Sequence, residues 1–144
     1  MGKQNMTITP IQSREVKPEY NMPFVPAFLV QSSKLLFLAG CGPIPPYHKH
    51  PHVPEEEAQW MSGGIREQAT KTFEHLEELL RAAGADLFNI VKLTIYLRNI
   101  ADQNAFNEIS AKVFANGSAP PRTVIQAVLN HEDMLLEVDA IAAL

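Results

Sequence analysis

The stretch "GGIREQATKTFEHLEELLRAAGADLFNIVKLTIYL", residues 63–97, changes its apolar period half-way, and that change restricts the possible folds more than any other feature. In its first part Ile65, Ala69, Phe73, Leu76, Leu80 and Ala83 recur every three or four residues, which builds one apolar stripe along a helix. Ser62 is placed to cap that helix, and Gly84 to end it in a left-handed turn. From Ile90 the period becomes two: Ile90, Lys92, Thr94 and Tyr96 lie opposite Val91, Leu93, Ile95 and Leu97. Such a strand has one face more polar than the other. A striped helix running into a half-buried strand must lay its stripe on a sheet, which predicts an α+β layered domain.

The rest of the chain extends this pattern. "DQNAFNEISAKVFA" reads as a second amphipathic helix with Phe106, Ile109, Val113 and Phe114 on its buried side. "RTVIQAVL" and "MLLEVDAIAAL" read as strands. "AFLVQSSKLLFLAG" predicts a β-hairpin, with strands 27–30 and 35–39 joined through residues 31–34, and a further strand is expected near "TITPIQS". Residues 1–25 carry Pro10, Pro18 and Pro23 and are expected to be irregular around that strand. Residues 43–62 hold five prolines and are expected to be a loop. The expected architecture is a single domain over residues 1–144: a mixed sheet with two helices on one face. The other face needs a cover, for which association with further copies of the chain is the expected solution.

Composition narrows the function. The chain of 144 residues has a formal net charge of −4 and no basic block, which argues against nucleic-acid partners, whose affinity comes mostly from cations on phosphates. No apolar run approaches the ~18–20 residues that span a bilayer, and the N-terminus lacks an apolar signal core, so a cytoplasmic protein is expected. Cys41 is the single cysteine; it excludes an internal disulfide and a thiolate zinc cluster, and between two glycines it reads as a small buried residue lining a turn.

Four groups carry possible chemistry. Arg122 stands between two prolines and a strand that otherwise reads as buried: it is either a solvated strand end or waits for an anion, since an unpaired buried guanidinium costs several kcal/mol. Glu137 and Asp139 alternate with the aliphatics Leu136 and Val138, so both carboxylates share one face, which is either a solvated edge or a cavity wall. Pairing of the last two strands through "NHED" would set Arg122 and Glu137 across one pocket. His48, His50 and His52 alternate in "YHKHPH", and imidazoles bind zinc, nickel or copper. That segment is proline-rich, contains Lys49 and shows nothing to hold its rings, so no metal cofactor is expected there beyond weak adventitious binding. His75 and His131 are isolated and form no triad, and no P-loop, dinucleotide fingerprint or nucleophile elbow is present.

The segments "LLFLAGCGPIP", "GGIREQATKTFEHLEELLRAAGADLFNIVKLTIYL", "FNEISAKVF" and, most specifically, "PPRTVIQAVLNHEDMLLEVDAIAAL" together resemble the RidA/YjgF superfamily of imine and enamine deaminases. The resemblance runs from about Pro26 to the end. It implies a chorismate-mutase-like domain assembled as a homotrimer with barrel-like packing, and pockets in the clefts between subunits. By the same resemblance Arg122 grips a substrate carboxylate, Glu137 stands by the attacking water, Gly40 and Cys41 line the pocket with their backbone, and Asn107 lies near it. Two positions depart from the family pattern: Phe28 is taken to supply a ring where the family has a tyrosine, and Val124 stands where a cysteine is common. The activity implied is hydrolysis of 2-imino or enamine acids such as 2-aminoacrylate to 2-oxo acids and ammonia, without metal or organic cofactor. The alternatives are a deaminase of a larger, aminomuconate-type enamine and a non-catalytic trimer that binds small carboxylates. Endoribonuclease activity, a historical label of the family, suits the acidic chain least.

Overall fold

A computed structural model describes residues 6–144. Strands β1 (Thr7–Ile11) and β2 (Ala27–Gln31) form an antiparallel pair. Strands β3 (Leu35–Phe37), β4 (Ile90–Leu97), β5 (Arg122–Gln126) and β6 (Leu136–Ala143) form a mixed sheet in the order β3-β6-β4-β5. Helices α1 (Pro54–Trp60), α2 (Ile65–Ala82) and α3 (Gln103–Val113) complete the α+β domain. No helix among the described residues is long and apolar enough to cross a membrane.

Local chemistry sets the helix boundaries. At the start of α2 the Gly64 N–H donates to Oε2 of Glu67 at 2.8 Å, which satisfies one of the free donors of the first turn. The expected cap, Ser62, instead donates to the Gln59 carbonyl at 2.7 Å and belongs to the end of α1. At the other end Gly84 takes φ +75°, and the N–H groups of Ala85 and Gly84 return to the carbonyls of Leu80 and Arg81. That is a Schellman turn, which a residue with a Cβ closes only under strain. Residues 43–62 are not all loop, because Pro54 opens α1. Proline suits the first helical position, where its missing N–H is not needed, and Glu55, Glu56 and Glu57 sit at the positive end of the helix dipole.

The buried stripe of α2 and that of α3 meet one face of the four-stranded sheet. Leu76, Leu80, Phe106, Ile95, Leu97, Leu136 and Val138 are fully enclosed there, and Phe73 stacks on Phe106 with ring centroids 6.0 Å apart. Each such side chain contributes ~1.5–3 kcal/mol by leaving water. Ile90 and Leu93 are both buried, although three residues apart, because a register shift between Ile90 and Lys92 changes the strand's phase. The opposite face carries Lys92, Thr94, Tyr96, Glu137 and Asp139, together with Leu35 and Phe37, which are 60% and 71% exposed.

Two pairings differ from the sequence reading. β2 and β3 do not form a hairpin: β2 joins β1, whereas β3 joins β6 at the edge of the main sheet. Ser32 shows why, since its hydroxyl donates to the Leu144 carbonyl at 2.6 Å and turns the chain toward the end of β6. Similarly, β5 does not pair with β6. It runs parallel to β4, and α3 provides the crossover between them, so β4 separates β5 from β6.

Candidate functional site

Arg122 begins β5 opposite Leu93, a core residue, and so shares the helix-covered face of the sheet. Its guanidinium carbon lies over two rings, 5.4 Å from the centroid of Phe24 and 5.6 Å from that of Phe106. Nη2 donates to Oδ1 of Asn107 on α3, while Nε and Nη1 are buried with no hydrogen-bond partner among the described residues. Burial presses its pKa downward, and no carboxylate among the described residues forms an ion pair with it. A cation beside aromatic faces with only a neutral amide for a partner is set up to receive an anion. Val124, two residues on, points to the same side and packs on the core.

A second set of groups lies across the sheet. Glu137 is opposite Tyr96, on the face away from the helices, with Asp139 next along that face. Tyr96 donates its hydroxyl to Oδ2 of Asp139 at 3.3 Å. Burial, and then the neighbouring Asp139, hold the Glu137 carboxyl above the usual glutamate range. It borders a cavity of ≈ 370 Å³ together with Gly40, Cys41, Leu79, Met134 and His48. Gly40 faces the carboxylate so closely that a Cβ there would stand 2.2 Å from Oε1. Cys41 exchanges two backbone hydrogen bonds with Val138, at 2.9 and 2.8 Å, which aligns the turn with β6. Burial, followed by Glu137 and Asp139, pushes the Cys41 thiol up to about 11, which leaves little thiolate at neutral pH.

The predicted residues therefore form two groups, Arg122 with Asn107 and Val124, and Glu137 with Gly40 and Cys41, on opposite faces of one sheet. The imagined pocket between adjacent strands β5 and β6 does not exist within a chain, because β4 lies between them. Phe28 is not at the arginine. It pairs with Pro10 and lines a shallow groove with Ile8, Phe88 and Ser118, and the ring on Arg122 is that of Phe24. A signal was present in "MPFVPAF", where Phe24 directly follows Pro23 and Phe28 comes two residues after Pro26, but the two aromatic positions cannot be told apart without knowing which one reaches β5.

Supporting residues keep these groups in place. Gln68 is 1% exposed; its Nε2 donates to the carbonyls of Met61 and Asp133, both at 3.0 Å, and its Oε1 accepts from Leu135 N–H at 2.8 Å. This clamp fastens the run into β6 against α2. His75, isolated in the sequence, ties Gly42 beside the cavity through a 2.9 Å bond from Nδ1 to its carbonyl.

The profile of the family described as Endoribonuclease L-PSP matches residues 15–144. A RutC family protein of Pyrococcus horikoshii is 30% identical over 113 residues, covering 78% of this chain and 82% of that protein. The human 2-iminobutanoate/2-iminopropanoate deaminase is 36% identical over 84 residues, which span 58% of this chain and 61% of the human one. Among solved structures, a Rid family protein of unknown function from Yersinia pestis, YyfB, superposes with a TM-score of 0.71 at 22% identity, covering 97% of this chain and 99% of that one. With the profile running from residue 15 to the end, across the four-stranded sheet, the three helices and both halves of the candidate site, the chain belongs to the Endoribonuclease L-PSP family, the RidA/YjgF superfamily that its C-terminal strands resemble.

Proposed function

We propose that the protein hydrolyses small 2-imino acids and their enamine tautomers to 2-oxo acids and ammonia, with no cofactor. The observation that carries this reading is Arg122: a half-buried guanidinium over the rings of Phe24 and Phe106, with two nitrogens, Nε and Nη1, left without a partner after Asn107 is served. A substrate carboxylate would accept from that planar fork, and its charge would relieve the unpaired cation. Water then adds to the C=N carbon, the nitrogen takes up protons, and the C–N bond breaks to release ammonia and leave the C=O. Glu137 orients the water and relays its proton; a carboxyl held above its usual range is suited to both tasks. These imines hydrolyse unaided, so positioning and charge neutralisation suffice.

Because Arg122 and Glu137 occupy opposite faces of one sheet, the reading requires a second copy of the chain to bring its Glu137 face to the first copy's Arg122. The exposed Leu35 and Phe37 flank the Glu137 face and offer apolar area for such an assembly, which we take to be a homotrimer. Relatives named as iminobutanoate and iminopropanoate deaminases support the substrate class. The family's ribonuclease label draws no support from a chain of net charge −4.

The test is ammonia release from freshly generated 2-iminopropanoate, with light scattering alongside. Wild type should turn over as a particle of three times the chain mass. Arg122→Ala should lose measurable turnover while keeping that mass, and Arg122→Lys, which keeps charge without the fork, should recover little. Equal rates in wild type and Arg122→Ala would make the arginine a mere strand end. Binding of small carboxylates with no ammonia release in wild type would establish the competing reading, a carboxylate-binding protein, which the separation of the two residues within one chain favours.

A further inference from the structure

Between β3 and α1 the chain brings together three imidazoles that the proposed reaction leaves unused. One ligand-capable nitrogen from each of His48, His50 and His52 lies within 4.8 Å of the others, and the ring centroids are 4.6 to 5.0 Å apart. Lys49 is exposed. The sequence argued against a built site because nothing in a proline-rich segment was seen to hold the rings. The folded chain supplies what was missing. Nδ1 of His48 is 2.8 Å from the Pro45 carbonyl, which can only accept, so that nitrogen carries the proton and Nε2 keeps its lone pair. Nδ1 of His52 donates to Oε1 of Glu57 at 2.5 Å, and its Nε2 is buried with no partner among the described residues. Trp60 closes on both rings, with centroids 5.3 Å from His48 and 5.4 Å from His52. Glu57 is itself fixed by His131, whose Nδ1 accepts from Asp133 N–H and whose Nε2 therefore donates to the same Oε1 at 3.1 Å.

A carboxylate or carbonyl on one ring nitrogen with the other left free is the arrangement that orients histidine toward a metal. We propose that His48, His50 and His52 form a binding site for a single Zn²⁺ ion, held by imidazole nitrogen and oriented by Glu57 and the Pro45 carbonyl. Zinc bonds imidazole nitrogen at about 2.0–2.1 Å, which sets neighbouring ligand atoms roughly 3.3 Å apart in a tetrahedron. Rotation of side chains, chiefly the exposed His50, closes the remaining distance. Three neutral imidazoles favour zinc over the hard cations magnesium and calcium, which want oxygen, and leave a fourth position for water or an anion. His48 also lines the cavity that holds Gly40 and Glu137, so an ion here fixes the wall formed by residues 45–48. The inference is independent of the proposed activity.

The test uses the full chain, stripped with chelator, dialysed and titrated with ZnCl₂ by calorimetry against a competing chromophoric chelator. One equivalent per chain is expected, with a rise in melting temperature on saturation. His50→Ala removes an exposed ligand without touching the core and should weaken binding at least about 100-fold and abolish the thermal shift. Glu57→Gln removes no ligand, yet should weaken binding about 10- to 100-fold, the usual cost of losing an orienting partner. Substoichiometric binding by wild type, unchanged affinity in His50→Ala, or unchanged affinity in Glu57→Gln would each overturn the proposal and leave an adventitious ion only. Should Glu57→Gln prove unfolded by circular dichroism, the His50→Ala titration decides alone.

Discussion

Adding one methyl group at Gly40 tests whether the position of Glu137 matters. An ideal Cβ on Gly40 would meet Glu137 Oε1 at 2.2 Å and Cδ at 3.1 Å, while Oδ1 of Asp139 at 3.4 Å is an ordinary contact. To restore that ordinary contact distance, the Oε1 atom must withdraw by about 1.2 Å, the difference between the two distances. It can do so by side-chain rotation, because Glu137 is only half-buried, on the face of the sheet away from the helices. The fold should therefore change by less than about 1 kcal/mol, the more so since exchanging glycine for alanine also restricts the unfolded chain. Function should suffer far more. A displacement of about 1 Å of a reacting group costs on the order of 100-fold in rate, or about 2.7 kcal/mol in the barrier. The assay is ammonia release from 2-iminopropanoate by Gly40→Ala, by Glu137→Ala and by the double variant, with melting temperatures for each. Gly40→Ala is expected to lose about 100-fold in kcat while retaining carboxylate binding at Arg122. In the Glu137→Ala background the added methyl has no carboxylate to displace, so the further loss should vanish. A kcat within twofold of wild type for Gly40→Ala, or the same loss in both backgrounds, would refute the placement of Glu137 as the water-orienting group.

Gln68→Leu keeps the volume of a buried side chain but strands the Leu135 N–H and the carbonyls of Met61 and Asp133. At about 1–3 kcal/mol for each buried group left unpaired, a loss of roughly 3 kcal/mol is expected, seen as a lower urea midpoint at unchanged slope; an unaltered midpoint would deny the clamp. The Cys41 thiol, raised from 9.0 to about 11, should carry about 100-fold less thiolate at pH 8 than the unfolded chain. Its alkylation by iodoacetamide should then be slower in the native protein by at least that factor, and comparable rates with and without urea would contradict the buried placement.

The elements whose burial is decided by their own neighbours were legible without coordinates. The stripe of α2 from Ile65 to Leu80 needs only the 3.6-residue period, and the alternation of Glu137 and Asp139 with Leu136 and Val138 needs only the pleat of a strand. Gly84 announced its turn because few other residues take φ +75° without cost. The closing motif around Arg122 and Glu137 carried the resemblance to the family whose profile matches residues 15–144.

Partnership between distant segments was not legible, because a strand's hydrogen bonds name no partner and any apolar edge of matching length will do. Thus β2 was joined to β3 by proximity in the chain, whereas β3 closes on β6 and β5 on β4. That exchange moves Arg122 and Glu137 to opposite faces, and it brings Phe24 rather than Phe28 onto the guanidinium. The histidine segment follows the same logic: alternation alone put three imidazoles on one side, but only packing could bring Pro45, Glu57 and Trp60 around them. Periodicity is a property of a single segment, and the sequence by itself determined it. Orientation of one polar group by another requires two segments to meet, and only the tertiary structure decided which ones do.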